Sequence, residues 1–190
     1  MIINGCGTGK KETTVVQLTH TAQGHTLHHN GVFSKDGQWI VFDGRNDDTA
    51  IGQTSQIGIV HLKTGEEKII YQTKAPTQYG PGVGAASFSP VADRVLFIHG
   101  LPNASREKPY GFTRRTGVAI DLAAPFKPVF MDARDVTFPY TAGALRGGTH
   151  SHCWSPDGQL ISFTYNDELA EPDLRTVGVM FDAKQPVITD

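Results

Sequence analysis

Cysteine is scarce in this chain of 190 residues: there are two, Cys6 and Cys153, in unlike surroundings, which argues against a disulfide framework. Long apolar runs are missing as well. None approaches the ~18 residues that cross a bilayer as a helix, so no transmembrane segment is expected. Positive charge is neither abundant nor clustered. Lysines and arginines number 17 against 19 acidic residues, for a formal net charge of -2. They occur singly or in short pairs such as Lys10-Lys11 and Arg114-Arg115, which excludes the dense basic face of a nucleic-acid-binding protein. Long stretches of helix formers are also wanting, while 21 glycines and 11 prolines favour many short strands joined by specific turns. An all-β chain follows, and 38% hydrophobic residues give it material for a packed core.

Residues 1–13 read as a disordered N-terminus or a signal remnant. Cys6 follows Ile3-Asn4-Gly5, similar to the end of a bacterial lipoprotein signal in which a small residue precedes the cysteine that is lipidated. That context favours a periplasmic or cell-envelope location, lipid-anchored through Cys6, with a cytoplasmic protein as the alternative. Gly7-Thr8-Gly9-Lys10-Lys11 is not a phosphate loop, because Asn4 stands where its first glycine belongs and no Ser or Thr follows the lysine. Cys153, between His152 and Trp154 in an apolar strand, reads as a buried thiol that packs as a small hydrophobe.

What organises the chain is repetition. Gly31 to Phe42, Ala86 to Phe97 and His152 to Phe163 share one pattern, in which an aromatic residue and a serine end one strand, a tight turn follows and an apolar strand begins. Each copy predicts a hairpin. In Pro156-Asp157-Gly158 the proline presets its backbone angle, the aspartate bonds nearby amides and the glycine takes a left-handed conformation without steric cost. Lys35-Asp36-Gly37 does the same without proline. The middle copy, Pro90 to Asp93, departs from this chemistry and predicts a longer or differently shaped loop. Two further strands are predicted after each hairpin: Gln56 to Leu62 and Glu67 to Gln72; Thr116 to Asp121 and Pro128 to Met131; Arg175 to Phe181 and Pro186 to Thr189. Spacings of 55 and 66 between Ser34, Ser89 and Ser155 exceed those of a minimal blade and imply loop insertions.

Trp154 to Gly158 resembles the aromatic-Ser-Pro-Asp-Gly turn of TolB-like, WD40-like propellers. Gln38 to Asp43, Phe97 to Gly100, Arg114 to Gly117, Tyr140 to Gly143, Leu145 to Gly148, His150 to His152 and Ser162 to Asp167 resemble an uncharacterised bacterial YidR-like propeller family. The resemblance covers roughly residues 28 to 180. It implies a β-propeller of about three four-stranded blades, at approximately 28–72, 84–131 and 149–190, cut from a longer ring, and it implies no particular reaction. Rings close with ~4 to 8 blades, so two apolar faces are expected to lack partners, either because the natural protein continues or because two copies meet as three plus three blades. Self-association through open blade edges is accordingly expected. Thr14 to Thr19 reads as the strand that, in related propellers, closes the ring from the outer edge of the last blade.

Residues just before each aromatic-serine pair converge near the propeller axis, and in two copies they include histidines. His150 and His152 alternate along a strand and so are predicted to share a face, where both could reach one divalent metal (Mn, Zn or Ca). His28 and His29 should face opposite ways, and His28 is taken as the one that joins them. The alternative reading is that these imidazoles bond backbone groups and fix loops between blades. His20, His25, His61 and His99 are read as structural. A His-x-His before such a turn is also similar to the metal site of oligogalacturonide lyases, which implies His150 and His152 as ligands and Arg146 as the partner of a sugar carboxylate, although neither a glutamine ligand nor a base is evident. Arg114, Arg115 and Tyr140 are further candidates for an acidic or sugar ligand. No Gly-x-Ser-x-Gly elbow occurs, which disfavours a serine nucleophile. The leading expectation is a module of the cell envelope that binds a protein or a small acidic ligand, with a metal-dependent lyase as runner-up.

Overall fold

A computed structural model of the chain describes residues 2–4, 13–47, 49–170 and 174–182. Cys6, the Gly7 to Lys11 stretch and the Pro186 to Thr189 strand lie outside the described residues. Twelve strands are present among them: β1 (Ile2–Asn4), β2 (Thr14–Val16), β3 (Trp39–Asp43), β4 (Gln56–His61), β5 (Glu67–Gln72), β6 (Val83–Phe88), β7 (Arg94–Gly100), β8 (Arg115–Asp121), β9 (Val129–Phe130), β10 (Gly148–Trp154), β11 (Leu160–Asn166) and β12 (Thr176–Phe181). They form four antiparallel sheets in the orders β1-β2, β3-β4-β5, β6-β7-β8-β9 and β10-β11-β12. Consecutive strands pair throughout, as in the meander of a propeller blade.

Among the described residues, four regular strands occur only in the middle blade. In the first, the innermost segment touches β3 through isolated bridges at Thr26↔Asp43 and Phe33↔Ile40, and Gly31 between them has φ +64°, so the ladder is interrupted there. Thr14–Val16 pairs with Ile2–Asn4 rather than with a blade.

The hairpin turns follow from the residues at their corners. Ser34 donates to Asp36 at 2.6 Å and accepts from the Trp39 amide at 3.0 Å. Ser155 donates to Asp157 at 2.5 Å and accepts from the Leu160 amide at 2.9 Å. Gly37 and Gly158 supply the left-handed corner at φ +66° and +69°, as glycine does without a Cβ penalty. The middle turn keeps the same spacing but not the same bonds. There the Ser89 hydroxyl accepts from the amides of Val91 and Ala92, because no aspartate stands two residues after the serine.

Blade-to-blade packing forms the core. Val41, Ile57, Ile59 and Ile70 of the first blade join Val83, Phe88, Val95 and Phe97 of the second in one buried cluster. A buried ion pair reinforces the seam: Arg45 Nε meets Asp43 Oδ1 at 2.7 Å, and Asp43 Oδ2 accepts the Ala85 amide at 2.8 Å. On the other side of the second blade, a side chain at Gly117 would lie 2.9 Å from His152 Nε2, so the absence of a Cβ lets the third blade approach. The inner strands β6 and β10 bulge at matching places, between Gly84 and Ser87 and between His150 and Cys153, with Ala85 and Ser151 both at φ +55°.

Candidate functional site

The bulge in β10 decides where the histidines go. Strand alternation would give His150 and His152 one face, but Ser151 in the left-handed region breaks the alternation. His150 lines a cavity of about 260 Å³ at the inner edges of the blades, together with His28, His29, Arg45, Arg115 and Arg175. His152 is buried behind it. His28 and His29 both border the cavity, because residues 27–30 lie outside any strand and the two-residue period does not apply there.

The tautomer of His150 follows from its neighbours. The Asn166 amide nitrogen donates to the Leu174 carbonyl at 3.3 Å, leaving its Oδ1 to accept from His150 Nε2 at 2.7 Å. The Nδ1 lone pair then faces Arg115 Nη1 at 3.4 Å. Burial, with Arg115 and Arg175 adding to it and the Asn166 bond opposing, brings the imidazole down to about 4. His150 is therefore neutral at pH 7. Burial, His29 and Arg45 likewise lower His28.

His152 belongs to a different arrangement. Its Nε2 lies 3.0 Å from Thr149 Oγ1, and that hydroxyl donates to Asp132 Oδ2 at 2.6 Å. Asp132 also accepts the Gly117 amide. Burial raises Asp132 against these hydrogen bonds, while burial followed by His150 and His28 lowers His152 to about 3. The chain Asp132–Thr149–His152 ties β8, β10 and the segment between β9 and β10 together. Among the described residues, no three His, Cys, Asp or Glu side chains are grouped so as to hold a metal ion. The imidazoles of His150 and His152 each use Nε2 within the protein, and two guanidinium groups stand beside His150, which does not suit a cation. No lyase step is derived from His28, His150 and His152.

The four ligand-binding candidates divide between two cavities. Arg115 faces the inner one. Arg114, Tyr140 and Arg146 line a second, outer cavity between the second and third blades. Arg146 is matched there by Asp167 at 2.9 Å, which leaves its charge neutralised internally. Arg115 is not so matched. It sits over the rings of Tyr110 and Phe112 at 4.8 and 4.6 Å, and Arg175 lies over the same Phe112 ring at 5.1 Å. Among the described residues neither Arg115 nor Arg175 has a carboxylate within ion-pair distance. Burial pulls the Arg115 guanidinium below its ordinary value, with Arg175 adding to it and Tyr110 opposing.

The sequence patterns did not single out Arg45 or Arg175, and they set His29 aside on strand alternation, although a signal for Arg175 was present. Arg115-Thr116 opens β8 and Arg175-Thr176 leads into β12, and the register pairs His99 with Thr116 and Tyr165 with Thr176. The two arginines hold equivalent positions in successive blades. Arg45 gave no such signal, since its placement depends on the buried Asp43.

Antiparallel blades packed face to face without ring closure, with a cavity at their inner edges, define an incomplete TolB-like β-propeller. Solved structures agree on the fold. The chain superimposes on TolB from Acinetobacter baumannii with a TM-score of 0.53 at 16% identity, covering 93% of this chain and 33% of that one. It superimposes on a TolB-type protein of Agrobacterium tumefaciens with a TM-score of 0.50 at 16% identity, covering 92% and 50%. In sequence it is 37% identical over 175 residues to the uncharacterised protein YidR of Escherichia coli (strain K12), covering 89% of this chain. The chain belongs to the family described as protein of unknown function DUF3748, whose pattern matches residues 82–190. It spans 40% of the length of that E. coli relative.

Proposed function

We propose that this chain forms part of a ligand-binding propeller module of the cell envelope, and that its inner cavity takes a small anion such as a carboxylate or an acidic sugar. The observation that carries this reading is the pair Arg115 and Arg175, which both contact the Phe112 ring and line the cavity without a carboxylate partner among the described residues. The half-buried Arg115 guanidinium feels the like charge of the exposed Arg175, and such charges repel. An anion relieves that repulsion and offers each guanidinium charge-assisted, bidentate hydrogen bonds. Leu27, Ile51 and Ile98 supply apolar lining against which a carbon skeleton can rest. The neutral His150 adds orientation. The envelope assignment rests on the sequence around Cys6, and fractionation with lipid labelling tests it separately.

Isothermal titration of the purified chain with galacturonate, citrate and inorganic phosphate tests the binding. Saturable binding of at least one anion is expected, weakened about tenfold or more by Arg115→Ala or by Arg175→Ala and by raised salt. Absence of binding by all three probes, or affinities indifferent to both substitutions, would defeat the reading.

A further inference from the structure

The outer cavity, about 230 Å³, carries both signs of charge on its wall, where Lys108 and Arg114 stand with Glu107 and Glu168. These charges offset one another in sum but not in contact. Among the described residues, none of the four has an opposite charge within ion-pair distance. Glu107 accepts instead from the Ser105 hydroxyl at 3.0 Å, and Arg114 donates to the Asn103 side-chain oxygen at 2.6 Å. Arg146, also on the wall, is matched by Asp167 at 2.9 Å.

Arg134 gives the same cavity a donor that the fold does not use. Its side chain is 8% exposed and borders the cavity. Nη1 and Nη2 donate to the carbonyls of Arg115 and Thr113, and Asp132 lies 3.9 Å from Nη1. The buried Nε has no hydrogen-bond partner, and neither has the buried Nε of Arg114. A buried N–H left unpaired is costly, so two of them on residues of one cavity wall point to an acceptor that binds there. Arg134 feels the charges of both Arg114 and Glu168, which makes the two guanidinium groups and the carboxylate near neighbours. Leu101, Val136 and Tyr140 supply the apolar part of the wall.

We infer that the outer cavity binds a small zwitterion, a free α-amino acid with an apolar side chain. Its carboxylate accepts from Arg114 and Arg134, its ammonium group meets Glu168, and its side chain rests against Leu101 and Val136. The two signs on the wall make the selection. A purely anionic ligand would bring its charge beside Glu107 and Glu168, and a purely cationic one beside Lys108 and Arg114, whereas a molecule carrying both leaves neither sign opposed. A volume below the ~300–1,000 Å³ of drug-sized ligand sites restricts the occupant to a small molecule. The inner cavity differs in kind, because its lining contains no carboxylate.

Isothermal titration of the full chain with leucine, N-acetyl-leucine and leucinamide provides the test, since each derivative lacks one of the two charges. Saturable binding of leucine is expected, weakened about tenfold or more by either modification. Glu168→Gln should lower the affinity for leucine to that for N-acetyl-leucine, and Arg114→Ala should lower it to that for leucinamide. Glu168 is exposed and Arg114 partly so, so both variants are expected to fold, which circular dichroism verifies. The inference is overturned if leucine does not bind, if either derivative binds as tightly as leucine, or if both variants retain full affinity. It is equally overturned if N-acetyl-leucine binds and leucine does not, which would make the cavity a plain anion site.

Discussion

The second and third blades are built from one hairpin pattern yet differ in how much of it they bury. In the second, β7 and β8 are buried almost end to end, with Val95, Leu96, Phe97, Val118, Ala119 and Ile120 all at 0% exposure. In the third, β11 alternates: Ile161 and Phe163 are buried while Leu160 and Ser162 are exposed. Its partner β12 leaves Val177, Val179 and Phe181 at 84, 53 and 56% exposure on one face. The same strands are thus two-sided in one blade and one-sided in the other. A blade's stability comes from its neighbours as much as from its own ladder, as in other repeat architectures.

The contrast can be broken at the first seam, where the effects are largest. Asp43→Ala removes the buried carboxylate that bonds Arg45 and accepts the Ala85 amide, so it is expected to cost about 3–5 kcal/mol in urea unfolding. Phe97→Ala empties the middle of the second blade and is expected to cost a similar ~3–5 kcal/mol. If either were as mild as a surface change, the second blade would not be the two-sided unit described.

Acid should act on the other seam. His150 and His152 fall to about 4 and about 3 in the folded protein, chiefly through burial, against an ordinary value near 6.5. The unfolded chain therefore takes up these protons first. Their contribution is complete above about pH 6.5 and declines as pH falls toward about 3. Urea midpoints between pH 7 and pH 4 should drop accordingly, with a shallower slope in His152→Gln. A wild-type midpoint independent of pH down to 4.5 would contradict the burial of both rings.

Smaller effects sharpen the comparison. Ser155→Ala removes the two hydrogen bonds that its hydroxyl makes in the turn and is expected to cost about 1 kcal/mol. Smallest of all, Val177→Ala on the open face should change stability by no more than about 0.5 kcal/mol. Amide exchange should rank the two blades in the same order, slow in β7 and β8 and faster in β12.

Much of the architecture was legible because turn chemistry is local. Ser, Asp and Gly at fixed offsets set a corner wherever they occur, and the apolar residues after them start a strand. Even the degenerate middle turn kept its spacing, since Ser89 bonds the next available amides. The candidate site was legible only in part. Alternation assigned His150 and His152 to one face, and a single left-handed residue, Ser151, separated them. Arg115 was named from its pairing with Arg114, but not Arg175, because recognising their equivalence requires the strand register.

The sequence by itself determined an all-β chain of recurring hairpins, because strand period and turn-forming residues act within a few positions of one another. Only the tertiary structure decided which side chains meet at the inner cavity and which charges there lack partners. Those outcomes depend on where bulges fall and on which blade face packs against which, and such contacts join residues far apart in the chain.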